Sequence, residues 1–102
     1  MTYLIHKDAY AELISEFMSH RINVDRFIEQ YIKQWCIDRD EQWIQVKSGI
    51  TTSPKETALC EILDQIFTAC DCYNPKPKIK VEINESQLRS EIGEHFKRLS
   101  SI

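Results

Sequence analysis

The chain has 102 residues, the size of one domain, and this length buries a modest core without a metal ion or disulfides. It contains only 2 glycines, which favours helices, and its formal net charge of -3 comes without a dense basic stripe, which argues against a general nucleic-acid binder. No segment approaches the roughly twenty apolar residues of a membrane span, so we expect a cytoplasmic protein without membrane contact.

The first two predicted helices have plain amphipathic patterns. The first covers residues 7–20 and places its apolar side chains on one face: Tyr10, Leu13, Ile14 and Phe17. Asn23 is a typical N-cap for the second helix, with Ile22 placed to contact Phe27 as a hydrophobic staple. The apolar stripe of the second helix continues to Trp35.

Residues 38–49 give a weaker signal. A charged run at 38–41 interrupts the apolar period before it resumes at Trp43. This pattern fits one long helix that ends near Gly49, or a helix followed by a loop, and we favour an extension of the second helix with a break. Acids clustered at a helix break are expected to be exposed. The acids at this break are Asp38, Asp40 and Glu41.

The best-defined predicted helix begins at Ser53. Ser53 as N-cap, Pro54 at the first helical position and Glu56 three residues after the cap form a capping box with the favoured proline. Apolar residues at steps of three and four form one stripe: Leu59, Ile62, Leu63, Ile66, Phe67 and Cys70. Opposite this stripe lie Glu61, Asp64, Thr68 and Asp71. Pro75 and Pro77 end the helix, because proline cannot continue it.

The last predicted helix begins at Asn84, and Gln87 three residues later supports this cap. Its buried face consists of Leu88, Ile92, Phe96 and Leu99. The link before it, residues 76–81, is basic and extended by its prolines, so the two helices it joins are able to pack at a distance. Four amphipathic helices predict an all-α fold, an antiparallel four-helix bundle that forms one domain over residues 1–102.

Catalysis and metal binding find little support in the sequence. Two pairs, Glu91 with His95 and Glu16 with His20, each place an acid one helical turn before a histidine. A di-iron bundle uses Glu-x-x-His, and the spacing in both pairs is one residue longer than that. A hydrogen bond between Glu91 and His95 explains that pair. No phosphate loop or nucleophile motif occurs, so we predict no enzymatic activity, no cofactor and no metal. Free thiols in a reducing cytosol are expected at Cys36, Cys60, Cys70 and Cys72.

Asp71 is the least ordinary of the acids. It lies in the last turn of its helix, where the helix dipole disfavours an acid by about 0.3–1 kcal/mol. Something positive should offset this penalty. In the structural interpretation Lys76 or Lys78 folds back onto Asp71, and in the functional interpretation a basic surface of a partner lies against it. Tyr73 just beyond is a ring of the type enriched at interface centres, although it equally suits the closing of the core.

The same stretch resembles a known family. Glu61-Ile-Leu-Asp64, then Phe67-x-Ala69-x-Asp71-x-Tyr73-x-Pro75, then Glu85-x-Gln87-Leu88-Arg89 is similar to the colicin D immunity proteins, which also serve as immunity partners of contact-dependent growth-inhibition toxins. The resemblance implies a cytosolic inhibitor that binds the C-terminal nuclease domain of a cognate toxin, in the family a transfer-RNA anticodon nuclease, and blocks its active site.

This resemblance and the one-sided acidity predict a toxin-binding surface. We expect charged contacts from Glu61, Asp64 and Asp71, with Thr68 and Tyr73 beside them. Second-line candidates are Asp38, Asp40 and Glu41. The alternative function is a helical adaptor that binds another protein's amphipathic helix in an apolar groove around Trp43 and Ile44. An enzyme ranks third and requires activity that depends on His20 or His95.

Overall fold

The computed structural model describes residues 2–102, without the side chain of Thr2. Its helices are α1 (Thr2–Ile5), α2 (Lys7–Met18), α3 (Val24–Lys47), α4 (Pro54–Cys72) and α5 (Glu85–Ser100). Within the described residues no strand forms, and the only pairing of that kind is an isolated bridge between Tyr73 and Ile83. The four long helices are those predicted, whereas the short α1 is an element that the pattern did not indicate.

The long helices form an antiparallel bundle. Phe17 stacks on Phe27 close to the α2–α3 connection, whereas Tyr10 bonds to Asp38 far from it, so these two helices run in opposite directions. Each of α2, α3 and α4 packs against its successor, and α5 closes the ring against α2. The predicted all-α four-helix bundle is confirmed. Its largest fully buried side chains are Tyr3, Tyr10, Tyr31, Phe17, Phe27, Ile14, Leu59, Leu63, Ile66, Leu88, Ile92 and Leu99.

Side-chain caps begin three of the long helices as predicted. The side chains of Asn23 and Ser53 accept from backbone amides three residues on, and Asn84 and Gln87 form a complete capping box. The second half of the predicted Ser53 box is wrong. The Glu56 side chain is fully buried and accepts instead from the backbone N–H groups of Tyr3 and Leu4, at 3.0 and 3.1 Å. Glu56 therefore accepts hydrogen bonds from backbone N–H groups at the start of α1.

The predicted break in α3 is also wrong. The helix runs without interruption to Lys47, and Gly49 with φ of 87° ends it close to the predicted position. Asp38 continues the buried stripe three residues after Trp35, which places its side chain inside the bundle. The charged run at 38–41 is thus one buried acid followed by exposed residues, a pattern that a helix accommodates.

The link between α4 and α5 folds back instead of extending. Glu82 accepts from the backbone N–H groups of Lys78 and Ile79 at 2.8 and 3.1 Å, and from the Asn74 amide at 2.9 Å. Ile83 bonds back to the end of α4 through the Tyr73–Ile83 bridge. The expectation that the link separates its helices is wrong, because α4 packs more extensively against α5 than against any other element described.

Candidate functional site

The predicted polar face of α4 is an exposed ridge. We call Glu61, Asp64, Thr68 and Asp71 the acidic ridge. Their spacing of three and four residues places them in one row, which spans about 15 Å at about 1.5 Å per residue. All four are exposed, while the opposite face of α4 is buried in the core. The amphipathic pattern therefore placed these side chains correctly, and no lysine or arginine lies among them.

Asp64 is held in a fixed position at the middle of the ridge. Its Oδ1 accepts from the indole N–H of Trp35 at 3.0 Å, and the Cys60 thiol lies 3.7 Å from its Oδ2. Burial, with the nearby Asp64 carboxylate, raises the pKa of Cys60 to about 11, so this thiol stays neutral. Thr68 donates to the Asp64 carbonyl at 3.0 Å. A carboxylate fixed in this way loses little side-chain freedom when a partner binds.

Asp71 has no compensating cation in the part of the chain that the structure describes. None of the three lysines of the link, Lys76, Lys78 and Lys80, ion-pairs with it, and the last turn of α4 holds no basic residue. The backbone amide of Lys76 donates to Asn74, and that of Lys78 to Glu82, which fixes the link near Glu82. The structural interpretation, in which a lysine folds back onto Asp71, is therefore wrong.

Tyr73 serves as the end of α4 and is half-buried. It packs against the core and takes part in the bridge to Ile83. Burial, followed by the nearby charges of Glu85 and Asp25, raises its pKa, so the phenol is protonated at neutral pH. Tyr73 thus closes the core and remains partly exposed.

The second-line acids divide into two kinds. Asp38 is 0% exposed, so the exposure predicted for it is wrong. Its carboxylate accepts from the Tyr10 hydroxyl at 2.5 Å and the Gln34 amide at 3.1 Å, and lies 2.8 Å from the His6 ring. Asp40 and Glu41 are exposed as expected, with Asp40 paired to Arg39 at 3.1 Å. Asp38 is a structural residue, whereas its two neighbours face solvent.

A groove of about 530 Å³ lies between α4 and α5 beside the acidic ridge. Its lining includes Asp64 and Thr68 from α4, Glu91 and His95 from α5, and Val81 and Ile83 from the link. We call it the α4–α5 groove. The sequence did not show that residues of α5 join the ridge, since only the folded link brings them together. The spacing of Glu91 and His95 was the one sequence feature that drew attention to these residues of α5.

His95 lacks the hydrogen bond that the sequence suggested. Its Nδ1 is buried without a partner among the described residues, and no bond to Glu91 forms. Burial, followed by the nearby Arg98, lowers the pKa of His95, so the ring is neutral at neutral pH. The imidazole is consequently not anchored by a polar contact at that atom.

A second surface is apolar. Trp43 and Ile44 near the end of α3 are 65% and 61% exposed. A groove of about 330 Å³ beside them is lined in part by Trp43, Val46 and Tyr3, and it also reaches Asp64. Large exposed apolar side chains of this kind are typical of protein-binding surfaces.

Residues 2–102 contain no group of three His, Cys, Asp or Glu side chains placed to hold a metal ion. None of the helices described is both long and apolar enough to cross a membrane. The cysteines are free thiols, and burial raises the pKa of Cys70 to about 12.

Residues 6–99 match the family described as bacterial self-protective colicin-like immunity. The chain belongs to this family. The match runs from just before α2 into the last turn of α5, so it covers the whole bundle. It confirms the resemblance to colicin immunity proteins, and the immunity protein accordingly binds and inhibits a cognate toxin. Comparison with curated proteins and with solved structures gives no significant match.

Proposed function

We propose that this immunity protein inhibits a toxin nuclease that cleaves transfer RNA, by covering its cationic active site with the acidic ridge. The observation that carries the proposal is Asp71, an exposed acid at the disfavoured end of α4 with no cation to offset it among the described residues. A basic surface on the toxin supplies that missing charge.

The chemistry of RNA cleavage explains why an acidic ridge suits this task. A ribonuclease holds a phosphodiester in a cationic cleft, and carboxylates placed where phosphates would lie form charge-assisted hydrogen bonds with the same groups. Glu61, Asp64 and Asp71 supply three carboxylates along one row of α4. Asp64 is already fixed by Trp35, which favours tight binding.

The proposed contacts extend to neighbouring side chains. Thr68 and the accessible part of Tyr73 lie beside the acids, and Asp40 and Glu41 add exposed charge on α3. The buried Asp38 is left out because it cannot reach a partner. We place the inhibitor in the cytoplasm, where transfer RNA is the substrate to be protected.

The experiment uses the C-terminal domain of the cognate toxin. We expect this domain to cleave transfer RNA, and one equivalent of the immunity protein to stop the cleavage. Charge reversal of Glu61 together with Asp71 should restore cleavage, while reversal of the exposed Glu12 on α2 should not. A toxin domain without ribonuclease activity would refute the nuclease target, and full inhibition by the double reversal would remove the ridge from the interface.

The exposed apolar surface favours a second candidate, a helical adaptor that binds an amphipathic helix around Trp43 and Ile44. Trp43→Ser with Ile44→Ser separates the two functions. The ridge proposal expects this double variant to inhibit the toxin. An apolar docking surface predicts instead that the variant no longer binds its partner protein, although the ridge is intact.

A further inference from the structure

The α4–α5 groove continues the acidic ridge onto a second helix. Asp64 and Thr68 belong to both surfaces, so a partner seated on the ridge covers the opening of the groove. The groove volume of about 530 Å³ is within the range of about 300–1,000 Å³ that is usual for binding clefts.

The lining of the groove has one sign of charge. Asp64 and Glu91 are the acidic residues of the lining, and no lysine or arginine is among the residues that line it. Arg98 donates to Gln65, which lines the groove, but Arg98 is not itself part of the lining. His95 adds no positive charge, because its lowered pKa keeps the ring neutral. The groove therefore suits a cation.

Apolar side chains form much of the remaining wall. Ala69 on α4 and Val81 and Ile83 on the link supply aliphatic surface below the carboxylates. A long cationic side chain combines both features, because its methylene stem lies along apolar surface while its head remains charged.

We propose that the α4–α5 groove receives one cationic side chain of the toxin, an arginine or lysine, with its head at Asp64 and Glu91 and its stem against Val81 and Ile83. This inference rests on the proposed function, in which the toxin sits on the acidic ridge. It adds α5 and the link to the interface and makes Glu91 a binding residue, which the acids of α4 alone do not require.

Two matched pairs of variants test the groove. Glu91→Gln and Glu94→Gln remove the same charge from α5, but only Glu91 lines the groove. Val81→Lys and Ile79→Lys add the same charge to the link at positions that are 67% and 62% exposed, but only Val81 lines the groove. We expect Glu91→Gln and Val81→Lys each to weaken binding of the toxin's C-terminal domain by at least about tenfold. Their partners should change the dissociation constant by less than about threefold.

The measurement is the dissociation constant by calorimetry, with the far-ultraviolet spectrum and urea midpoint of each variant as the check that it remains folded. Equal effects within each pair would overturn the inference, because long-range charge alone would then explain them. Charge reversal of Glu61 and Asp71 separates the two claims. If that reversal abolishes binding while Glu91→Gln and Val81→Lys bind normally, the ridge stands and the groove proposal fails.

Discussion

Asp71 lies at the end of α4, where unpaired backbone carbonyls repel a carboxylate. We expect Asp71→Asn to raise the free energy of unfolding by about 0.3–1 kcal/mol, since it removes that repulsion and no described ion pair. The same change should weaken toxin binding by about 2–5 kcal/mol if the carboxylate meets a desolvated cation. Urea unfolding and calorimetry measure the two effects.

Glu12→Gln is the control for Asp71, because Glu12 is an exposed acid on α2. It should leave toxin affinity unchanged. An Asp71→Asn variant that is less stable and binds normally would show that Asp71 has a structural partner and lies outside the interface.

The sequence around Asp38 led to the wrong prediction that this acid is exposed. Its buried carboxylate accepts from Tyr10 and Gln34, so removal leaves buried donors without an acceptor. We expect Asp38→Ala to lower the free energy of unfolding by about 3–5 kcal/mol. Asp40→Ala, two residues away and exposed, should change it by less than about 1 kcal/mol. Comparable losses in urea unfolding would contradict the assignment of the two acids to different roles.

His95 provides a pH test. Because burial lowers its pKa in the folded protein, the unfolded chain binds more protons at this site as pH falls through about 6.5. The stability linked to His95 is therefore present above the unfolded pKa and decreases as pH drops below it. We expect the loss of unfolding free energy between pH 7.5 and 5.5 to be smaller in His95→Gln than in the wild type. Identical losses would mean that the ring titrates alike in both states.

At the scale of elements, helix starts were predictable because they depend on local chemistry. Asn23, Ser53 and Asn84 each accept a backbone N–H within three residues, and this spacing is visible in the sequence. Features that depend on distant partners were not predictable. α1 is held by Glu56, more than fifty residues away, and nothing near either position indicates the other.

The same distinction between local and distant contacts explains which parts of the candidate site were predictable. The 3.6-residue period of α4 places the acidic ridge on an exposed face, so the ridge was predictable. The α4–α5 groove was not, because it depends on a link that folds back through Glu82. A charged run at 38–41 suggested a break in α3, yet Tyr10 supplies the partner that lets Asp38 stay inside.

The link between α4 and α5 offers a prediction at this scale. The hydrogen bond from the Asn74 side chain lowers the pKa of Glu82 most, and the bonds from the backbone amides of Lys78 and Ile79 lower it further. We expect Glu82→Ala to speed hydrogen exchange of both amides, while Glu94→Ala, an exposed acid of α5, leaves them unchanged. Acidification should have the same effect on the wild type, but only at a pH under the usual range of a glutamate, because the lowered pKa keeps Glu82 ionised until then. Unchanged exchange in Glu82→Ala would show that the turn holds without its carboxylate.

At the scale of the whole molecule, the acidic ridge and the α4–α5 groove bring several acids together. The formal net charge is only -3, but the acids of the ridge are exposed along α4, and Glu91 of α5 lines the groove beside them. A group of acids of this kind orients a basic partner before contact, which raises the association rate more than it raises affinity. The helix diagonal to α4 in the ring, α2, is not part of this surface.

Association with the toxin should therefore depend strongly on salt. The Debye length is about 10 Å at 0.1 M and about 3 Å at 1 M, shorter than the ridge, so added salt screens the acids from an approaching cation. We expect stopped-flow association rates to fall at least about tenfold between roughly 0.02 and 0.5 M salt, with dissociation rates changing less. Reversal of Glu61 and Asp71 should remove most of this dependence. A rate that does not respond to salt would instead indicate an apolar contact, and Trp43→Ser would then be the variant that slows it, because Trp43 is the most exposed aromatic side chain of α3.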